Sequence, residues 1–212
     1  MKKLVKIAVL IAGIAIISAS SLFAQKSGVF RTFADFTSGK MEYGIDCATE
    51  KHKIRLNEFL GKDFITVVHE GKPYNLKKGE IWGYQLCGDK IVRFQDNEHY
   101  SLDSKGLLWI YKKQSFKGGS PKGVGAKTVT TYYFSKGGDN GILELTPLNL
   151  KASFPDNHML HDAIDAQFKS ASSLSEYDKF HKQYKSNHFL ESQGIKYLDY
   201  FKIKRTLFYN KN

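Results

Sequence analysis

The sequence predicts an α+β protein dominated by β structure: an antiparallel meander or barrel-like sheet followed by a C-terminal helical hairpin. Three observations carry that expectation. Apolar side chains recur at alternate positions through most of residues 53–147, a few glycine or polar residues separate successive short runs, and after Pro155 the apolar period becomes that of an amphipathic helix. Connections that short join antiparallel neighbours as hairpins and leave no room for a helical crossover.

The chain divides into residues 1–24, an antiparallel β region over 25–150, and a helical hairpin with a basic aromatic tail over 151–212. Lys2, Lys3 and Lys6 precede an apolar run from Ile7 to Ile17, small residues follow, and Leu22-Phe23-Ala24-Gln25 offers a cleavage site after Ala24. That pattern is a secretory signal peptide. Its apolar run falls short of the roughly 20 residues a bilayer-spanning helix needs, and no second such run follows, so the mature chain is expected to be exported and soluble, in the periplasm or at the outer surface. Gln25 after the cut, instead of Cys, disfavours a lipid anchor.

Near the mature start, Thr32 is placed to cap a single helical turn pinned by Phe33 and Phe36. Strands are then expected around Ile54 and Leu56, over Phe64–Val68, over Glu80–Leu86 and over Ile91–Phe94 before the turn at Asp96-Asn97. Tyr100 and Leu102 belong to the next strand, and Leu107–Tyr111 is the strongest strand signal in the chain. Thr128–Phe134 and Ile142–Leu145 flank a glycine-rich turn and read as a hairpin.

Lys117–Lys127 is a glycine, lysine and serine loop. Its likeness to a phosphate-binding loop fails because Ala126 separates Gly125 from Lys127-Thr128, so it reads as a surface connection. After Pro155, Asp156 is placed to cap a helix that puts Leu160, Ile164, Gln167 and Phe168 on one side. A second helix is expected from Ser172 or Ser173, with Leu174, Tyr177, His181 and Tyr184 in a stripe. The tail from Gly194 alternates irregularly and leans to a terminal strand.

Removing residues 1–24 takes 32 basic side chains to 29 against 21 acids, a net charge of +8. Outside the cytoplasm that excess speaks for solubility or attraction to anionic lipids and polysaccharides, and against nucleic acid as a partner. The only two cysteines, Cys47 and Cys87, are expected to form one disulfide in an exported chain. The rival readings are a nucleophilic Cys47 beside His52, or two inert buried thiols.

Candidate chemistry is sparse, and no catalytic, cofactor-binding or metal-binding residue is assigned. His158, His161, Asp162 and Asp165 share one stripe of the first C-terminal helix and offer four ligand types for zinc or manganese. Their spacing is not that of H-E-x-x-H, and a solvated polar face accounts for the same residues. His181 reads as a packed or hydrogen-bonded core histidine, and His188 as a decoration of a helix C-terminus. Trp82, Tyr84, Trp109 and Tyr111 suggest stacking on sugars, which a glycosidase would pair with two carboxylates; their alternation within strands is also what a β core requires, and core packing is the preferred reading. No G-x-S-x-G elbow is present.

Gly28–Phe36, Ile81-Trp82-Gly83-Tyr84 with Asp89-Lys90 and Arg93-Phe94, Leu108–Tyr111, Phe154–His158 and Glu176–His181 together span most of the mature chain. In these motifs the chain resembles a group of exported Bacteroidetes proteins of unknown function. The resemblance implies an envelope or secreted location in a Gram-negative bacterium and supplies no site residues. The expectation is therefore a non-enzymatic exported protein that binds an anionic glycan, a lipid surface or an envelope protein through Lys117–Lys127 or the basic tail. The alternative is a metal-dependent hydrolase using the His158–Asp165 stripe.

Overall fold

In the computed structural model, described over residues 26–50, 53–57, 61–117 and 127–196, the alternating segments form antiparallel sheets throughout. The signal segment, His52, the interior of the Lys117–Lys127 loop and the tail from Tyr197 lie outside the described residues. The main sheet has eight strands: β1 (Lys26–Phe30), β2 (Glu42–Asp46), β6 (Gly83–Gln85), β7 (Ile91–Gln95), β8 (Glu98–Ser104), β9 (Trp109–Lys117), β10 (Lys127–Ser135) and β11 (Leu143–Glu144). Their spatial order is β11-β10-β9-β8-β7-β6-β1-β2, so the sheet is an open meander and not a closed barrel. Between β2 and β6 the chain makes a separate three-stranded sheet of β3 (Lys53–Arg55), β4 (Phe64–His69) and β5 (Lys72–Lys77).

Local chemistry sets the turns. Glu70 and Gly71, between the paired His69 and Lys72, both adopt positive φ, as do Asp96 and Asn97 between Gln95 and Glu98. Two consecutive left-handed residues make the turn whose twist matches the flanking strands. Cys47 follows β2 and Cys87 follows β6, and their disulfide, with Cα atoms 5.7 Å apart, clasps the two strands that flank β1.

Pairing register divides the main sheet into two faces. Val29, Tyr84 and Val92 stand opposite one another and share one face; Phe30 and Arg93 flank Gly83 on the other. At one end of the first face Val29, Tyr84, Val92 and Phe94 pack against Ile65, Val67 and Leu76 of the three-stranded sheet. At the other end Leu108, Ile110 and Phe134 pack against the C-terminal segment. The second face carries Phe30, Trp82, Trp109 and Tyr111 under α1 (Phe33–Ser38). Thr32 caps that helix with Asp35 in a reciprocal box, and Phe36 stacks on Trp82 with ring centroids 4.4 Å apart. Lys105 lies over the Phe36 and Trp109 rings, and burial lowers its pKa.

The C-terminal segment departs from the expected pair of helices. Helical structure begins before Pro155, at α2 (Pro147–Ala152), where Thr146 caps and Pro147 occupies the first turn. Next comes α3 (His158–Gln167), capped by Asn157 and not by Asp156, with Leu160, Ile164 and then Phe168 inward and Gln167 exposed. The expected second helix is interrupted: α4 (Ala171–Leu174) is one turn, a hairpin of β12 (Tyr177–Asp178) and β13 (Gln183–Tyr184) follows, and α5 (Lys185–Ser192) closes the segment. Asp178 holds the turn that replaces the continued helix. Its carboxylate accepts from the backbone N–H groups of Phe180 and His181, a local turn that competes with the helix ladder.

Candidate functional site

The β12–β13 hairpin carries the most exposed large apolar side chain among the described residues, Phe180. Tyr177 pairs with Tyr184 and Asp178 with Gln183, leaving Lys179-Phe180-His181-Lys182 as the tip. Asp178 Oδ1 accepts the Phe180 N–H at 2.8 Å and the His181 N–H at 3.0 Å, while Oδ2 lies 2.7 Å from His181 Nδ1. Lys182, with φ of 53°, turns the chain back. Hydrogen bonds from the His181 ring, then from the His181 and Phe180 backbone, hold the Asp178 carboxyl down at about 2. It is therefore a carboxylate at any ordinary pH, and its donors are already in place.

The His181 ring lies parallel to His188 on α5, centroids 3.8 Å apart, and the Phe180 ring meets His181 at 4.9 Å edge to face. His181 is thus exposed and hydrogen-bonded, not a core residue, and His188 sits within a helix as a stacking partner, not beyond its end. Phe180 is 87% exposed, the most of any large apolar side chain described, and Tyr177 is 52% exposed. Lys179 and Lys182 beside it are also exposed.

Next to the hairpin opens a cleft of about 350 Å³ with Phe168 and Phe189 in its wall and Gln167, Gln193, His188 and Asp178 among its polar groups. The wall rings meet edge to face at 5.0 Å. Ser192 also borders the cleft, but its hydroxyl donates to the Phe189 carbonyl at 2.7 Å, so the Asp178–His181 pair does not activate it. Around the two phenylalanine rings the lining is mostly polar, Lys185 included, and it offers hydrogen bonding beside a small apolar contact.

Two tethers fix this end to the main sheet. The Tyr184 hydroxyl donates to Asp103, which also pairs with Lys112 at 2.7 Å; burial first, then the Asp103 hydrogen bond, push the Tyr184 pKa far up. The Asn187 amide grips the backbone of Leu108, accepting its N–H at 2.7 Å and donating to its carbonyl at 3.0 Å.

The other candidates serve structure. His161 Nε2 lies 2.8 Å from the Phe154 carbonyl, Asp165 takes both its oxygens to Lys151 at 2.7 Å, Asp162 is exposed, and His158 meets the edge of the His161 ring at 5.7 Å. Among the described residues no three His, Cys, Asp or Glu side chains gather to hold a metal ion. Cys47 is bonded to Cys87, which removes the nucleophilic-thiol reading. Trp82, Tyr84, Trp109 and Tyr111 are 9%, 3%, 7% and 0% exposed, so they form core and not a sugar platform.

Two groups escape sequence reasoning. One is the hairpin tip, signalled only by Asp178 ahead of Lys179-Phe180-His181-Lys182-Gln183, a mostly polar stretch between two tyrosines. The other is Arg93, 6% exposed, whose guanidinium reaches Tyr111 Oη at 3.1 Å, Ser135 Oγ at 3.4 Å and the Asn140 carbonyl at 2.7 Å. An arginine inside the apolar run Ile91-Val92-Arg93-Phe94 was its signal. No described helix is long and apolar enough to cross a membrane. No family model, no curated protein and no solved structure matches the chain.

Proposed function

We propose that this chain is an exported, non-enzymatic binding protein of the bacterial envelope, and that its contact surface is the C-terminal hairpin with the cleft beside it. The observation that carries the reading is the tip itself: a phenylalanine presented to solvent between two lysines, on a turn that Asp178 and His181 brace from behind. A side chain held outward by a braced turn loses little further freedom when it meets a partner, which favours recognition. The signal-peptide pattern and the Cys47–Cys87 disulfide support an oxidising compartment.

Two measurements test the reading. Residues 1–24 fused to a reporter enzyme that is active only after export should give activity in a Gram-negative host, with the cleaved protein beginning at Gln25. Mature protein should co-sediment with washed envelope fractions, and a triple variant with Phe180→Ser, Lys179→Gln and Lys182→Gln should remain in the supernatant. Cytoplasmic retention, or wild-type protein that fails to sediment, overturns the proposal.

A further inference from the structure

Resting on that reading, we infer that the partner of the hairpin tip is an anionic lipid surface, with Phe180 entering the interface and Lys179 and Lys182 lying against the headgroups. Lys179, Phe180 and Lys182 are exposed together on one short turn, which suits a laterally continuous surface. Phe180 and Tyr177 are the exposed rings of this hairpin, and an aromatic ring is at home at the boundary between headgroup and acyl chain.

Charge supports the same partner. The tip sequence Lys179-Phe180-His181-Lys182 holds no acid, and the nearest carboxylate, Asp178, faces back onto His181 and the turn backbone. Lys185 on the adjoining helix is matched to Glu176, and Glu191 on that helix accepts from the Gln183 amide, so the charge at the tip itself is that of the two lysines that flank Phe180. A lysine beside an anionic membrane surface is attracted over about a Debye length, and a mature net charge of +8 adds a favourable long-range field.

One aromatic ring with two lysines gives weak, reversible and salt-sensitive docking, not permanent anchoring. The brace behind the tip makes the arrangement effective, because the turn that aims Phe180 outward is fixed before the surface is met.

The test uses mature protein and sedimentable vesicles of phosphatidylcholine, alone or with about one-third phosphatidylglycerol. Binding is expected to the anionic vesicles only, falling steeply with added salt. Phe180→Ser should weaken it by about tenfold or more, and Lys179→Gln with Lys182→Gln by a similar factor while reducing the salt dependence. All three positions are exposed, so unchanged thermal melting certifies the fold of each variant. As a positional readout, Phe180→Trp should be quenched by brominated lipid, whereas wild-type protein, whose Trp82 and Trp109 are buried, should not.

Equal binding to neutral and anionic vesicles, tip variants that bind like wild type, or an unquenched Phe180→Trp each overturns the inference. If vesicles fail while washed envelopes retain wild-type protein and release the tip variants, the lipid assignment falls and the binding function stands with a protein or glycan partner. If neither is bound, both fall.

Discussion

The side-chain amide of Asn187 acts as a strand toward Leu108. It accepts the Leu108 N–H and donates to the Leu108 carbonyl, so helix α5 meets the residue just ahead of β9 through the same pair of bonds a neighbouring β residue would make. Both partners are buried, and a Cβ on Gly106 would stand only 2.7 Å from the Asn187 amide nitrogen. Asn187→Ala leaves two buried backbone groups unpaired and should cost about 2 to 4 kcal/mol in urea unfolding. Gly106→Ala should destabilise through collision with that amide and cost much less in the Asn187→Ala background. A double-mutant cycle with no coupling between the two sites would refute this arrangement.

This contact shows where sequence reading stops. The period-two runs, the Asp96-Asn97 turn and the Thr32 cap were legible because each is set by residues a few positions apart. The pairing of Cys47 with Cys87 was legible by count. Asn187 and Leu108, 79 positions apart, were not, since nothing local marks a helix asparagine that will complete a strand. The helical stripe from Leu174 to Tyr184 misled for a related reason: tyrosines at hairpin-paired positions satisfy the helical period too, and only Asp178 capturing two backbone N–H groups decides between them.

Arg93 is expected to separate charge from shape. Its guanidinium sits 5.9 Å from both the Trp82 and the Tyr111 ring centroids, and all three of its hydrogen-bond acceptors are neutral oxygens. Its Nε–H finds no hydrogen-bond partner among the described residues. Arg93→Ala should cost about 3 to 5 kcal/mol, from the cavity and the orphaned Asn140 carbonyl. Arg93→Lys should be intermediate, since it keeps a buried charge but loses the fork. Arg93→Met should cost least, about 1 to 2 kcal/mol, because it fills most of the space and removes the buried charge, leaving the Asn140 carbonyl unpaired and the Tyr111–Ser135 hydroxyl bond intact. Chemical denaturation gives the order; a lysine variant as stable as wild type would contradict it.

The Cys47–Cys87 bridge closes a loop with a sequence separation of 40, and its removal should lower stability by about 4 kcal/mol in the chain-entropy account. Thiol counting on denatured, unreduced, exported protein should find none. The double variant Cys47→Ala with Cys87→Ala should unfold at lower denaturant while keeping its far-UV spectrum, because β1 still pairs with both flanking strands. Two reactive thiols in the exported protein would defeat this.

Asp178 sets an acid limit on the hairpin. Its folded value of about 2 lies below the ordinary 3.8, so the ionised form is the one the turn favours. A depressed carboxyl contributes stability that is fully present above its ordinary value and is lost as pH falls through the folded one. The window is therefore from about pH 4 down to about pH 2, and neutral pH lies on its plateau. Amide exchange at Phe180 and His181 should remain slow down to pH 4 and quicken below it relative to reference amides in β9, with the Asp178 carboxyl carbon titrating near 2 by NMR. Asp178→Asn keeps an acceptor for the two N–H groups but cannot titrate, so the tip should lose this pH dependence while keeping its turn. A carboxyl midpoint near 4 would mean that the His181 bond is not formed in solution, and the brace behind Phe180 would have to be sought elsewhere.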